Sequence, residues 1–210
     1  MTGRSIVAAM LALVLAVMVA GGCGAAADEN KHSIAVIIGN GDYGAQVPAV
    51  DFAHSDAEAM KRFVIDVLGY REGNVIDLRD ATKARLEAVF GVANSHKGQL
   101  FDWVRPGKSD IVVFYSGHGV PGLEDRRGYL LPADGDPNRI ELNGYPVELL
   151  YENLSKIEAR SITVFIDACF SGNTPKGLLI PATSGISVTP RIPEGSSKLT
   201  VLTAAQGDQL

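Results

Sequence analysis

Short apolar runs recur along the chain and predict the strands of a sheet. Three of these runs are almost continuously apolar, which is typical of strands buried on both faces, and they cover residues 33–38, 110–116 and 161–166. Shorter or more mixed runs predict further extended segments at residues 74–78, 127–131 and 198–204. Predicted strands thus extend over the chain from residue 33 onwards.

Apolar positions at helical spacing predict helices between these strands. Residues 51–68 carry apolar side chains three to four positions apart, and Gly69 closes the pattern. Three further helices are predicted at residues 83–92 with Thr82 as the N-cap, at residues 96–104, and at residues 146–157 with Pro146 in the first turn. Residues 171–197 are rich in Gly, Pro, Ser and Thr and predict a long loop.

The alternation of strands and helices predicts an α/β fold, in which a mostly parallel sheet has helices on both faces. Ligands of such sheets bind beyond the C-terminal ends of the strands. His118 and Cys169 each follow one of the strongly apolar strands at such an end. The loop after the first strand contains Asn40, Asp42 and Tyr43, to which we assign no chemistry.

The overall composition excludes several classes of protein. The 210 residues are 46% hydrophobic and 20% charged, which is typical of a globular chain and not of a disordered one. The net charge of −5 provides no basic excess for binding nucleic acid. With only two cysteines, Cys23 and Cys169, the chain has neither a disulfide scaffold nor a zinc ribbon.

The first 27 residues have the features of an export signal. A single positive charge, Arg4, precedes an apolar run from Ile6 to Ala20, which is shorter than the roughly 20 residues of a membrane span. Cleavage after Ala27 would give a secreted protein, whereas lipidation of Cys23 would give a membrane-anchored lipoprotein, and an uncleaved anchor is a third alternative. We therefore expect an exported protein, either periplasmic or anchored through Cys23.

His118 and Cys169 have the residue types of a nucleophilic pair. A cysteine at the end of one strand and a histidine at the end of a neighbouring strand would meet at the edge of the sheet, where the imidazole could raise the thiolate fraction. Gly119 permits a close approach, so backbone N–H groups at Gly119 and Cys169 could stabilise an oxyanion. The alternative is that Cys169 is a buried small apolar residue and that the glycines beside His118 form a tight turn.

The sequences YSGHG at residues 115–119 and DACFSG at residues 167–172 resemble the caspase-type cysteine peptidases of clan CD, family C14. Their form is similar to that of metacaspases and of the bacterial orthocaspases, and the AVIIGNGDYG and AHSDAEAM segments also resemble that family. The resemblance covers residues 30–210 and implies a caspase-like three-layer sandwich. It also implies that His118 is the general base and Cys169 the nucleophile.

The same resemblance implies a substrate pocket lined by Asp56, Ser116 and Asp167. Two carboxylates that converge on one pocket would select Arg or Lys before the scissile bond. The alternatives are that Asp56 caps a helix or interacts favourably with the helix dipole, and that Asp167 only turns the end of a strand.

The sequence supports no metal or other cofactor. Arg127 stands where the family's first calcium-binding Asp would be, and a cation at that position does not support calcium binding. Asp134 and Asp136 could hold an ion, but we interpret them as residues of a solvated turn.

The family usually continues beyond the last predicted strand into a small-subunit region, so we expect that part to be missing. Asp208, a few residues after that strand, is a further candidate for the pocket. Lys176 and Arg191 in the long loop are candidate sites of self-cleavage. The prediction is therefore a cysteine endopeptidase acting on peptides or proteins after Arg or Lys, and the alternative is a weakly active or inactive caspase-like binding domain.

Overall fold

A five-stranded parallel sheet forms the centre of the computed structural model, which describes residues 30–45, 47–170, 173–174, 177–178 and 188–204. The expectations for the signal segment with Cys23, for Lys176 and for Asp208 lie outside the described residues. In chain order the strands are β1 (Ile34–Gly39), β2 (Val75–Arg79), β3 (Asp110–Ser116), β4 (Gly119–Pro121), β5 (Gly128–Leu130), β6 (Tyr145–Pro146), β7 (Ser161–Asp167), β8 (Asn173–Thr174), β9 (Gly177–Leu178) and β10 (Leu199–Thr203).

The strands of the main sheet lie in the order β10-β7-β3-β1-β2, and every neighbouring pair is parallel. Two small antiparallel sheets accompany it, one of order β4-β5-β6 and one formed by β8 and β9. The helices are α1 (Ala53–Asp66), α2 (Lys83–Phe90), α3 (Gln99–Trp103), α4 (Ile140–Asn143) and α5 (Val147–Ser155). No helix in the described part of the chain combines the length and the apolar character needed to cross a membrane.

The main sheet is buried on both faces. Alternate side chains of β1 enter two different clusters: Ala35 and Ile37 pack with α1, whereas Val36 and Ile38 pack in a larger cluster to which α2, α3 and α5 contribute. Consecutive side chains of a strand point to opposite faces, which explains why this strand is continuously apolar. The expected α/β fold with helices on both faces of a mostly parallel sheet is confirmed.

The observed elements differ from the prediction mainly where they are short. The structure has β3 at the bounds predicted for it, and the Thr82 side chain caps α2 by accepting the backbone N–H of Arg85. The predicted helix over residues 51–68 is α1, which is shorter at both ends, and Pro146 precedes α5 instead of lying in its first turn. The prediction missed β4, β6 and α4, and the predicted loop over residues 171–197 contains the two-residue strands β8 and β9.

Candidate active site

The register of β3 and β7 brings the two candidate catalytic segments side by side. Ser116 and Asp167, the last residues of these neighbouring strands, are paired. The pairing continues past the strands, because the backbone N–H of Gly117 donates to the carbonyl oxygen of Asp167 at 3.3 Å. His118 and Cys169 each follow two residues after the paired strand ends, so they leave the sheet at the same level. His118 is buried, and Cys169 is half-buried.

Gly119 fits against the Cys169 segment at a distance that excludes any side chain. A Cβ atom at residue 119 would lie 2.9 Å from the carbonyl oxygen of Cys169 and 2.8 Å from ring atoms of Phe170. Real Cβ atoms essentially never approach other heavy atoms below 3.0 Å. The backbone next to His118 therefore packs directly on the backbone of Cys169.

The imidazole of His118 has a defined orientation. Its Nε2 atom lies 2.6 Å from the carbonyl oxygen of Pro48, which can only accept a hydrogen bond. Nε2 must therefore carry a proton, and in the neutral ring Nδ1 is the atom that can accept one. The Pro48 carbonyl thus sets the tautomer that a general base at His118 needs.

The backbone of His118 is also held on both sides by tyrosine hydroxyls. Its N–H donates to the hydroxyl of Tyr43 at 2.8 Å, and its carbonyl accepts from the hydroxyl of Tyr115 at 2.9 Å and from the N–H of Leu131 at 3.0 Å. Our sequence reasoning missed both tyrosines and Pro48. The available signal was their placement, since Tyr43 and Pro48 follow β1 at the same edge of the sheet and Tyr115 directly precedes the SGHG sequence.

Asn40 fixes the loop that carries Tyr43 and Pro48. Its fully buried amide donates from Nδ2 to the carbonyls of Ala81 and Leu131, at 3.3 and 3.2 Å, and its Oδ1 accepts from the N–H of Ala81 at 2.8 Å. One side chain thereby ties the end of β1 to two other loops at the same edge.

Asp80 holds the same loop from outside. Its Oδ1 accepts the backbone N–H groups of Gly41 and Asp42, both at 2.9 Å, and lies 2.8 Å from Nε2 of His54. These partners outweigh the partial burial, so the pKa of Asp80 is lowered although burial alone would raise it. Asp80 has a φ of 50°, a left-handed conformation that Asp tolerates better than most residues.

The three candidate pocket residues gather on the α1 face of the sheet. Gly39 permits this, because a Cβ atom there would lie 2.5 Å from the carbonyl of Ala53 and 2.8 Å from the side chain of Ala57 in α1. The helix therefore packs directly on the end of β1 and carries Asp56 with it. Ser116 and Asp167 are paired in register and lie on the same face of neighbouring strands.

The electrostatics of the two carboxyls reflect this arrangement. Burial raises the pKa of Asp167. Burial, and then the neighbouring charge of Asp167, raises the pKa of Asp56. Asp56 does not cap α1, because the helix has no side-chain hydrogen bond at its N-cap and Asp56 lies inside its first turn. Asp167 therefore lies close enough to Asp56 for its charge to contribute to the raised pKa of Asp56.

The acidic segment that follows β5 has structural partners of its own. Asp134 accepts the backbone N–H of Lys83 at 2.9 Å, at the first residue of α2, and Asp136 accepts that of Asn138 at 2.9 Å. Arg127 lies 3.9 Å from Asp125 and is exposed. Within the described ranges, no three His, Cys, Asp or Glu side chains are arranged to hold a metal ion.

Part of the long loop lies against the candidate site. The N–H of Val188 donates to the carbonyl of Phe170 at 3.2 Å, and Pro190 packs close to Gly128. Arg191, one of the two candidate self-cleavage residues, is exposed.

A family model and a solved structure are similar to this chain. The family model of the caspase domain of peptidase family C14 matches residues 32–208. Protein GSU0716 from Geobacter sulfurreducens has a crystal structure that matches with 23% sequence identity and a TM-score of 0.46, over 65% of this chain and 50% of that one. This chain thus spans about half the length of that relative. No curated protein matched the chain.

Proposed function

The chain belongs to the caspase-domain family of C14 peptidases, and on that premise we propose that it is a metacaspase-type cysteine endopeptidase cleaving after Arg or Lys. The strongest support is the backbone contact between the His118 and Cys169 segments, which follow paired strand ends and pack together at Gly119. A nucleophile and its base require this kind of fixed proximity.

The proposed reaction is acyl transfer through a thioester. Nδ1 of His118 takes the proton of the Cys169 thiol, and the resulting thiolate attacks the carbonyl carbon of the scissile bond. The N–H groups of Gly119 and Cys169 stabilise the oxyanion. The carbon–nitrogen bond then breaks while His118 returns the proton to the leaving amine, and a water molecule deprotonated by His118 hydrolyses the thioester.

The hydrogen bond from Nε2 of His118 to the Pro48 carbonyl supports this assignment. It makes Nδ1 the ring atom that can take the thiol proton, and the Pro48 carbonyl can still accept from Nε2 when the ring becomes a cation. A polar acceptor that holds the imidazole in one tautomer has the role that a buried carboxylate has in other nucleophilic triads.

The specificity for basic residues rests on Asp56 and Asp167, with Ser116 at the base of the pocket. The effect of the Asp167 charge on the pKa of Asp56, second to that of burial, supports their convergence. A substrate guanidinium or ammonium group placed between them would relieve this repulsion and would gain charge-assisted hydrogen bonds. An acidic substrate residue would meet like charges, so the pocket excludes Asp as well as favouring Arg or Lys.

We further propose that the protein is exported and remains in the periplasm or is anchored through a lipid on Cys23. Its substrates are then peptides or proteins of that compartment, and the reaction as written needs no cofactor.

The test is hydrolysis of paired fluorogenic peptides that end in Arg, Lys or Asp before the reporter group. The protein, Cys169→Ala and His118→Ala are compared with calcium and with a chelator, and thermal unfolding confirms that each variant is folded. We expect turnover of the Arg and Lys peptides only, and its loss in both variants. A folded protein that hydrolyses none of the peptides under either condition would instead be the caspase-like binding domain.

A further inference from the structure

We infer that Tyr43 and Tyr115 form a hydroxyl clamp that positions His118 for proton transfer, and that Tyr43 is the positioning residue on which the geometry of the general base depends. The inference rests on the proposed function, because it assigns a role within the same site. It concerns residues to which the sequence analysis gave no chemistry.

The clamp holds the backbone of His118 from both directions. Tyr43 accepts its N–H at 2.8 Å, and Tyr115 donates to its carbonyl at 2.9 Å and to that of Leu131 at 3.1 Å. All of these bonds are buried, so each has a high cost of removal. The backbone of His118 thereby has little freedom to move along the edge of the sheet.

The two hydroxyl groups also lie on the same side of the turn before His118, because a Cβ atom at Gly117 would be 2.7 Å from the Tyr43 hydroxyl oxygen and 2.8 Å from that of Tyr115. Tyr43 accepts the backbone N–H of His118, whereas Tyr115 donates to the carbonyls of His118 and Leu131. The two tyrosines therefore act as one unit.

The two tyrosine hydroxyls pack against Gly117, where a larger residue would clash with them. A Cβ atom at residue 117 would lie 2.7 Å from the Tyr43 hydroxyl oxygen and 2.8 Å from that of Tyr115. The clamp thus lies directly over the turn that leads from β3 to His118, and only glycine fits beneath it.

Tyr43 also contacts the imidazole itself. Its ring centroid lies 4.8 Å from that of His118, with the rings tilted by 41°. The imidazole is therefore limited in three ways: Tyr43 covers a face, the Tyr43 hydroxyl holds the backbone N–H, and the Pro48 carbonyl accepts from Nε2. Burial raises the pKa of Tyr43 to about 12, so its hydroxyl stays protonated and the clamp stays intact at neutral pH.

The test compares Tyr43→Phe with Tyr70→Phe. Tyr70 is a matched control because it is also buried, with burial likewise raising its pKa to about 12, and because it precedes β2 at the end of the sheet opposite to His118. Each variant is measured for kcat and KM on an Arg peptide, for the pH profile of kcat/KM, for thermal stability, and for the His118 tautomer by nitrogen NMR of the ring.

We expect Tyr43→Phe to lower kcat about tenfold to a hundredfold, since a buried N–H loses its acceptor and the imidazole loses its orientation. KM should change little because Tyr43 is not among the pocket residues. The acidic limb of the pH profile should shift, and the NMR shifts should show a mixture of the two tautomers. Tyr70→Phe should lose some stability and retain the wild-type kcat, pH profile and tautomer.

A second variant keeps the inference testable if Tyr43→Phe does not fold. If Tyr43→Phe does not fold, Tyr115→Phe removes the donor to the His118 carbonyl from the other side and is expected to lower kcat in the same way. Equal kcat, pH profile and tautomer in the folded clamp variant and in Tyr70→Phe would overturn the inference. If the wild-type protein cleaves no peptide, the proposed function fails, and the tautomer of His118 in the clamp variant still decides whether the clamp exists.

Discussion

Replacing Gly119 with alanine would place a methyl group between the His118 and Cys169 segments. The new Cβ would lie 2.9 Å from the Cys169 carbonyl oxygen, whereas ordinary contacts begin at 3.4 Å, so the two backbones must separate by about 0.5 Å. The Phe170 ring, at 2.8 Å, must also move. Overpacking of this kind costs about 1–3 kcal/mol of stability.

The effect on catalysis should exceed the effect on folding. A misplacement of about 1 Å costs on the order of a hundredfold in rate, so a shift of half that size is expected to lower kcat about tenfold. The Gly119 variant is assayed beside Gly73→Ala, because no atom lies within 4 Å of a Cβ built at Gly73. Both are measured for hydrolysis of an Arg peptide and for thermal unfolding. Wild-type kcat and an unchanged melting temperature for Gly119→Ala would refute the close contact.

Three further predictions concern the pocket and the loop. The KM for an Arg peptide should rise as the pH falls, because protonation removes the negative charges of Asp56 and Asp167. The rise should begin at a higher pH than carboxylates with ordinary pKa values would give, because both pKa values are raised. A pH series with Asp56→Asn as the control checks this. Asp167→Asn should raise KM and yet increase the free energy of unfolding at neutral pH. A pKa raised in the folded state means that folding favours the protonated Asp167 side chain. This stabilisation is complete below the unfolded-state pKa of about 3.9 and is lost as the pH rises through the folded-state pKa, whereas the uncharged Asn does not lose it at neutral pH. Equal or lower stability of the Asn variant in a denaturant titration would contradict this prediction. Asn40→Ala should cost about 1–3 kcal/mol, because it leaves the buried N–H of Ala81 without its acceptor, and a melting temperature within error of the wild type would show that the amide is dispensable.

The sequence predicted the main sheet well because its strands are buried on both faces. β3 is almost continuously apolar between Asp110 and Ser116, and its predicted bounds match those of the structure. The prediction extended α1 to Leu68, but the helix ends at Asp66 and the chain then turns through Gly69 at a φ of 72°. Apolar spacing alone does not show where the turn begins.

The short antiparallel strands could not be predicted in the same way. β4 and β6 have three and two residues, too few for a periodic pattern, and they are strands only because β5 lies between them. Their common partner β5 is itself a short segment. A strand that forms only through pairing in the folded chain leaves no hydrophobic pattern in its own sequence from which it could be predicted.

The candidate site was accessible to sequence reasoning only in part. His118, Cys169 and the acidic residues have distinctive chemistry at the ends of strands, and the order of strands in the sheet then decides which of them meet. Tyr43 could not be assigned in this way, because the loop after β1 has no regular pattern and its path depends on Asn40 and Asp80. The role of the loop follows from hydrogen bonds that connect distant segments.

The partner of the His118 ring is a main-chain atom of Pro48, and every amino acid carries such an atom. An alanine scan of the site would therefore recover the histidine and the cysteine and would leave the third group untouched. A comparison of residue types between relatives would also fail to detect this carbonyl, since any residue at position 48 supplies the same backbone oxygen. A backbone substitution can test it: an ester in place of the amide between Pro48 and Ala49 makes this carbonyl a weaker acceptor, removes the N–H of Ala49 and leaves every side chain unchanged.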